Sequence, residues 1–115
     1  MRDYRLYLED IQNSAQKIER FTKGLTLPKF QKDVLVIDAV IRNLEVIGEA
    51  SKNIPDKIKK RYPDIEWEKI TALRNILAHE YFGVDHEILW DIIASKLPEL
   101  KKAVNAALKA APPLI

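Results

Sequence analysis

The sequence predicts an all-α protein, an up-and-down bundle of four long helices with short accessory helices between them. Three observations carry this. Apolar residues recur at helical spacing through most of the 115 residues. Two of the three glycines and all six prolines fall between these periodic segments, as helix-breaking punctuation should. The best β-like run, Val34-Leu35-Val36-Ile37, leads into a long helical pattern with no turn after it.

Each element follows from local signals. A first helix is expected from about Arg2 to Lys23, because Tyr4, Leu8, Ile11, Ala15 and Ile18 form one apolar stripe. Gly24 stops it, and Thr26-Leu27-Pro28 opens the next segment with proline in the first turn. One long second helix is expected from there to about Lys52. Ile54-Pro55-Asp56 opens a short basic helix ending near Tyr62-Pro63. Asp64 or Glu66 begins another, running through Trp67 to about Phe82, with Gly83 as terminator. Asp85 caps a helix containing Ile88 to Ile93, and Pro98 sits in the first turn of a separate final helix, Leu97 to about Ala110. The expected organisation is one domain over residues 1–110 and a flexible tail over 111–115.

Composition narrows the function. With 47% hydrophobic and 31% charged residues, the chain is that of a folded globular protein. Its net charge of +2 requires neither nucleic acid nor membrane as partner. The absence of cysteine removes disulfide scaffolds, thiolate metal sites and thiol nucleophiles. No apolar stretch approaches the roughly 18 residues that cross a bilayer, and the first residues carry no apolar signal region. A cytoplasmic protein without a membrane partner is expected. His79-Glu80 and His86-Glu87 do not make the His-Glu-x-x-His spacing of a helical zinc site, so no metal and no cofactor is expected. Trp67 and Trp90 are expected to anchor the core or an interface.

Two helices look more than structural. The second is apolar nearly all round, leaving a polar stripe of Asp38, Arg42, Glu45 and Glu49 spaced four, three and four apart. Asp38 and Arg42 should pair within the helix, and the remaining negative charge seeks a cation from elsewhere. The stripe is either a solvated face or the lining of a subunit interface or cleft. The helix Arg74-Asn-Ile-Leu-Ala-His79 carries a guanidinium and an imidazole five residues apart. At about 100° per residue they diverge by about 140°, whereas Asn75 and His79 share a face. Convergence would need an early helix end near His79, or a second copy of the chain around a twofold axis. Imidazole, with an unperturbed pKa of about 6.5, exchanges protons near neutrality. Arginine forks onto phosphate oxygens. RNA supplies its own 2′-hydroxyl nucleophile, so such a pair suffices for metal-free phosphodiester cleavage. Lys57, Lys59, Lys60 and Arg61 form the densest basic cluster. They either track an RNA backbone or keep an exposed short helix soluble.

The segments Arg42-Asn-Leu-Glu-Val-Ile-Gly-Glu-Ala50 and Arg74-Asn-Ile-Leu-Ala-His79-Glu-Tyr81-Phe82-Gly83-Val84, with Trp67 between them, resemble the HepT-like family of the HEPN superfamily. Met1-Arg-Asp-Tyr4, Asp38-Ala-Val-Ile41 and Leu97-Pro-Glu-Leu100 extend the likeness over almost the whole chain. The resemblance implies a homodimeric all-α ribonuclease that needs no metal, acting as the toxin of a type VII-like toxin–antitoxin pair. By matching positions it implies Arg74 and His79 as the catalytic pair, with Asn75 in support. Tyr81 is then the residue that a minimal nucleotidyltransferase antitoxin modifies with AMP. Glu80 departs from the small residue that many relatives carry there. The implied substrate is RNA, either tRNA or mRNA. A second reading, from a different class, is a non-catalytic helical dimer that binds nucleotide or a partner protein through the same motif.

Overall fold

A computed structural model describes residues 3–79 and 83–111. Helix α1 spans Tyr4–Thr22 and begins where Asp3 accepts a hydrogen bond from the Arg5 amide at 2.9 Å. Leu8, Ile11, Ala15 and Ile18 of the expected stripe are all fully buried. The buried Thr22 hydroxyl is satisfied by the Ile18 carbonyl at 2.8 Å. The chain then turns through Gly24 at φ +79°, a left-handed conformation that favours glycine.

The long second helix expected from Pro28 to Lys52 is instead two helices. Helix α2 covers Leu27–Lys32 and α3 covers Val34–Lys52, with Asp33 between them at φ −102°, ψ 87°. The Asp33 carboxylate accepts from the Val36 amide at 3.1 Å, capping a new helix rather than continuing the old one. The break turns Phe30 fully into the core, its ring centroid 5.1 Å from that of Trp90.

Helix α4, Asp56–Lys59, is a single turn. It tightens into i→i−3 hydrogen bonds at Arg61 and Tyr62 instead of running as helix to Tyr62, the residue that Pro63 biases toward extended backbone. Helix α5 is Trp67–His79, and the Trp67 indole donates to the Tyr62 carbonyl at 3.2 Å. The end expected near Phe82 lies outside the described residues, as does the tail beyond Ala111.

Asp85 does cap α6, His86–Asp91, accepting from the Glu87 amide at 2.8 Å. The last two helices, expected to be separate, are joined by a five-residue π-helical segment, Ile92–Lys96, that runs straight into α7, Leu97–Ala110. The Leu97 amide donates to the Ile92 carbonyl, five residues back. This widened turn is where the chain accommodates Pro98, which brings no N–H and a bulky ring.

The result is an all-α bundle, without strand among the described residues. Helix α3 packs between α1 and α5, α7 lies on α1, and α2 bridges α3 and α6. The core is one cluster drawing on all of these helices. Ser51 of α3 is fully buried and its hydroxyl has no hydrogen-bond partner among the described residues. Because a buried unsatisfied hydroxyl costs on the order of 1 kcal/mol or more, Ser51→Ala should raise unfolding stability by about 1 kcal/mol in urea. A loss of stability would show that the hydroxyl is satisfied after all.

Candidate functional site

The site begins at a close approach of α3 and α5. A Cβ placed on Gly48 would collide with the Arg74 Cβ and stand 3.0 Å from the Ile70 carbonyl oxygen. Glycine therefore lets the two helix backbones meet at this level. Arg74 consequently leaves α5 directly against α3, and its Nε sits 3.3 Å from Oε2 of Glu49, one residue after Gly48. Its Nη1 donates to Oδ1 of Asn75 at 3.2 Å. The Arg74 side chain is still 37% exposed, so the guanidinium is held by two partners and remains open to a ligand.

Arg74, Glu49, Glu45 and Arg42 line one concavity of about 190 Å³, to which Tyr7 of α1 also contributes. Four of the expected residues thus converge. Within the stripe the pairing differs from expectation, since Arg42 bridges to Glu45 at 3.9 Å rather than to Asp38. Asp38 is exposed near the start of α3 and does not line the concavity. The surplus negative charge of the stripe does find its outside cation, which is Arg74.

His79 is the last described residue of α5 and is exposed. Ala72, Asn75, Ile76, Ala78 and His79 are exposed on that helix, while Trp67 and Leu77 are buried. On α5 the positions of Arg74 and His79 lie about 140° apart around the axis, so one helix does not aim both side chains the same way. The guanidinium faces α3, whereas the imidazole looks away from the core. Tyr81 and Glu80 lie outside the described residues.

The basic cluster divides. Lys59 and Lys60 line a larger cleft of about 730 Å³ with Lys52 and Lys69, whereas Lys57 and Arg61 do not. Glu66, also in this cleft, titrates below the ordinary carboxylate range because Lys69 and then Lys96 hydrogen-bond to it, and Lys69 is raised in turn. His86 packs edge-on to Phe30, with ring centroids 6.5 Å apart. Among the described residues no group of three or more His, Asp or Glu gathers that could hold a metal ion, and no helix is long and apolar enough to cross a membrane.

Sequence reasoning missed Gly48 and Tyr7. The signal for Gly48 was present, since an isolated glycine inside a helical pattern often marks close packing. Tyr7 borders the apolar stripe of α1 and packs against the core, so its position reads as core packing and carries no such signal.

A family described as Ribonuclease HepT-like matches residues 11–107. A Methanocaldococcus jannaschii protein with a provisional RNase name is 42% identical over 108 residues, covering 94% of this chain and 89% of the relative. A Thermococcus cleftensis protein, provisionally named ribonuclease HepT, is 44% identical over 100 residues, covering 87% and 91%. A third relative, from Caldanaerobacter subterraneus and again with a provisional RNase name, is 38% identical over 109 residues, covering 95% and 97%. No solved structure matches.

Proposed function

The chain belongs to the HepT-like ribonuclease family, and from that premise we propose that it is a metal-independent endoribonuclease whose active site forms between two copies of the chain. The observation that carries this reading is the state of Arg74: fixed by Glu49 and Asn75 at the α3–α5 seam, and open to solvent. A guanidinium so oriented presents its remaining N–H groups to a phosphate without reorganising, which is how a preorganised site stabilises developing charge. His79 is the general acid/base, taking the proton of the RNA 2′-hydroxyl as it attacks phosphorus and returning one to the departing 5′-oxygen. The products are a 2′,3′-cyclic phosphate and a 5′-hydroxyl, and the step balances without metal or water.

Because the two side chains diverge on one helix, the cleft requires a partner helix. The exposed stripe of α5 offers Ile76, 49% exposed, next to Asn75 and His79, and α3 leaves Leu35 80% exposed. Apolar side chains this open on two neighbouring helices favour a self-association surface. Asp38, Arg42 and Glu45 then line or border the shared cleft. Incubation of the protein with single-stranded RNA and with tRNA in EDTA tests the proposal. Cleavage that leaves cyclic phosphate ends and is lost in Arg74→Ala and His79→Ala supports it. Equal background in all three proteins, or a strict monomer by light scattering at micromolar concentration, overturns it.

The biological role that the family likeness supports is the toxin of a type VII-like pair, silenced by a minimal nucleotidyltransferase through adenylylation of Tyr81. An AMP group two residues along the chain from His79 would oppose RNA by bulk and by like charge. On exposure to ATP and the candidate antitoxin, the intact mass should rise by whole AMP units. Tyr81→Phe should abolish that rise, and an undiminished rise would move the modification to another residue.

A further inference from the structure

The lysine-lined cleft adjoins the Arg74 concavity. Lys52 follows Glu49 by three residues on α3, and Thr71 precedes Arg74 by three on α5, so each pair is about 4.5 Å apart along its helix axis. The two hollows are therefore successive stretches of one α3–α5 seam. We propose that this cleft, lined by Lys52, Lys59 and Lys60, is a backbone-binding subsite for single-stranded RNA, holding phosphates that flank the one presented to Arg74. This rests on the ribonuclease reading and extends it to the substrate's footprint.

The charge of the cleft is unevenly committed. Lys69 is tied to Glu66, which Lys96 also grips at 3.3 Å. Lys52, Lys59 and Lys60 have no ion-pair partner among the described residues, although Asp56 and Glu68 also border the cleft. Free ammonium groups along a concave wall suit a flexible phosphate strand. They act as point charges, so they hold the backbone without reading bases. Lys57 and Arg61, outside the cleft, belong to the same four-residue cluster in sequence but not to this surface. The cluster's role is therefore set by which of its members face the seam.

The test measures binding of a 2′-O-methyl 12-mer, which cannot be cleaved, by fluorescence anisotropy over a salt series. It stands apart from the cleavage assay, because loss of catalysis leaves this binding readable. Lys59→Ala/Lys60→Ala should weaken binding about tenfold and flatten the log–log salt slope by about 1.4, the release from two single-strand phosphate contacts. Lys52→Ala, on a different helix, should weaken it by about threefold with a slope change of about 0.7. Lys57→Ala/Arg61→Ala removes the same charge from outside the cleft and should change affinity by less than about twofold. Thermal melting by circular dichroism checks that each variant folds, and the two helices provide independent variants should one fail. Equal weakening by the inside and outside pairs overturns the subsite and leaves only a diffusely basic surface. An unchanged salt slope in both cleft variants overturns it as well.

Discussion

His79→Ala is expected to lower the turnover number for single-stranded RNA cleavage in EDTA by about a hundred- to ten-thousand-fold, the range supplied by a positioned general acid or base. Arg74→Ala should cost about a hundred- to a thousand-fold, as loss of a preorganised donor to a developing anion does. Arg74→Lys should not restore the activity. An ammonium cannot keep contact with Glu49 and Asn75 and also fork onto a phosphate. The double variant should be little worse than the poorer single one, because groups acting in one step are not additive.

The two variants also test where the site is built. Arg74 faces α3 and His79 faces away from the core, so the composite reading joins Arg74 of one copy to His79 of the other. A 1:1 mixture of Arg74→Ala and His79→Ala subunits, unfolded and refolded together, should then recover about a quarter of wild-type activity. Half the dimers are mixed, and each mixed dimer has one intact pair. No recovery, with dimers confirmed, would mean that each chain assembles its own site. Full activity in either single variant would remove that residue from catalysis.

Gly48→Ala destabilises the protein, although alanine is the better helix former. The propensity gain is about 1 kcal/mol, and overpacking at a tight helix crossing costs about 1–3 kcal/mol or more. The obstructing atoms are a Cβ and a backbone carbonyl, neither of which can swing aside as a side-chain end would. The clash therefore wins, with an expected net loss of about 1–2 kcal/mol for alanine and about 3 kcal/mol for the branched Gly48→Val. Urea unfolding measures both. A gain in stability for Gly48→Ala would mean that the α3–α5 crossing is looser than described. Relief of the clash parts α5 from α3 where Arg74 meets Glu49, so the surviving folded Gly48→Ala protein should also cleave RNA more slowly.

Much of the bundle was legible from local chemistry. The stripe Leu8, Ile11, Ala15 and Ile18 is buried as its spacing demands, and Asp85 caps its helix. The errors share a cause. Asp33 is a helix residue by periodicity but a cap by hydrogen bonding, and the choice depends on Phe30 reaching Trp90, sixty residues away. Pro98 reads as the start of a new helix. The chain instead absorbs it with a π-helical turn, so that α6 and α7 stay continuous. For the candidate site, the residue types Arg74, His79 and Glu49 were visible from motif and stripe, but Asp38 was wrongly paired with Arg42. A repeat of charges along one helix does not say which neighbour is nearer.

By itself the sequence determined the helical class, most helix positions and the family, since capping, periodicity and motif spacing act over a few residues. Tertiary structure alone decided that Glu49 takes its cation from α5, that Gly48 sets the distance between those helices, and that Lys59 and Lys60 face the seam while Lys57 and Arg61 do not. Each of these depends on atoms brought together by packing of the bundle, and so on contacts that no local pattern of residues encodes.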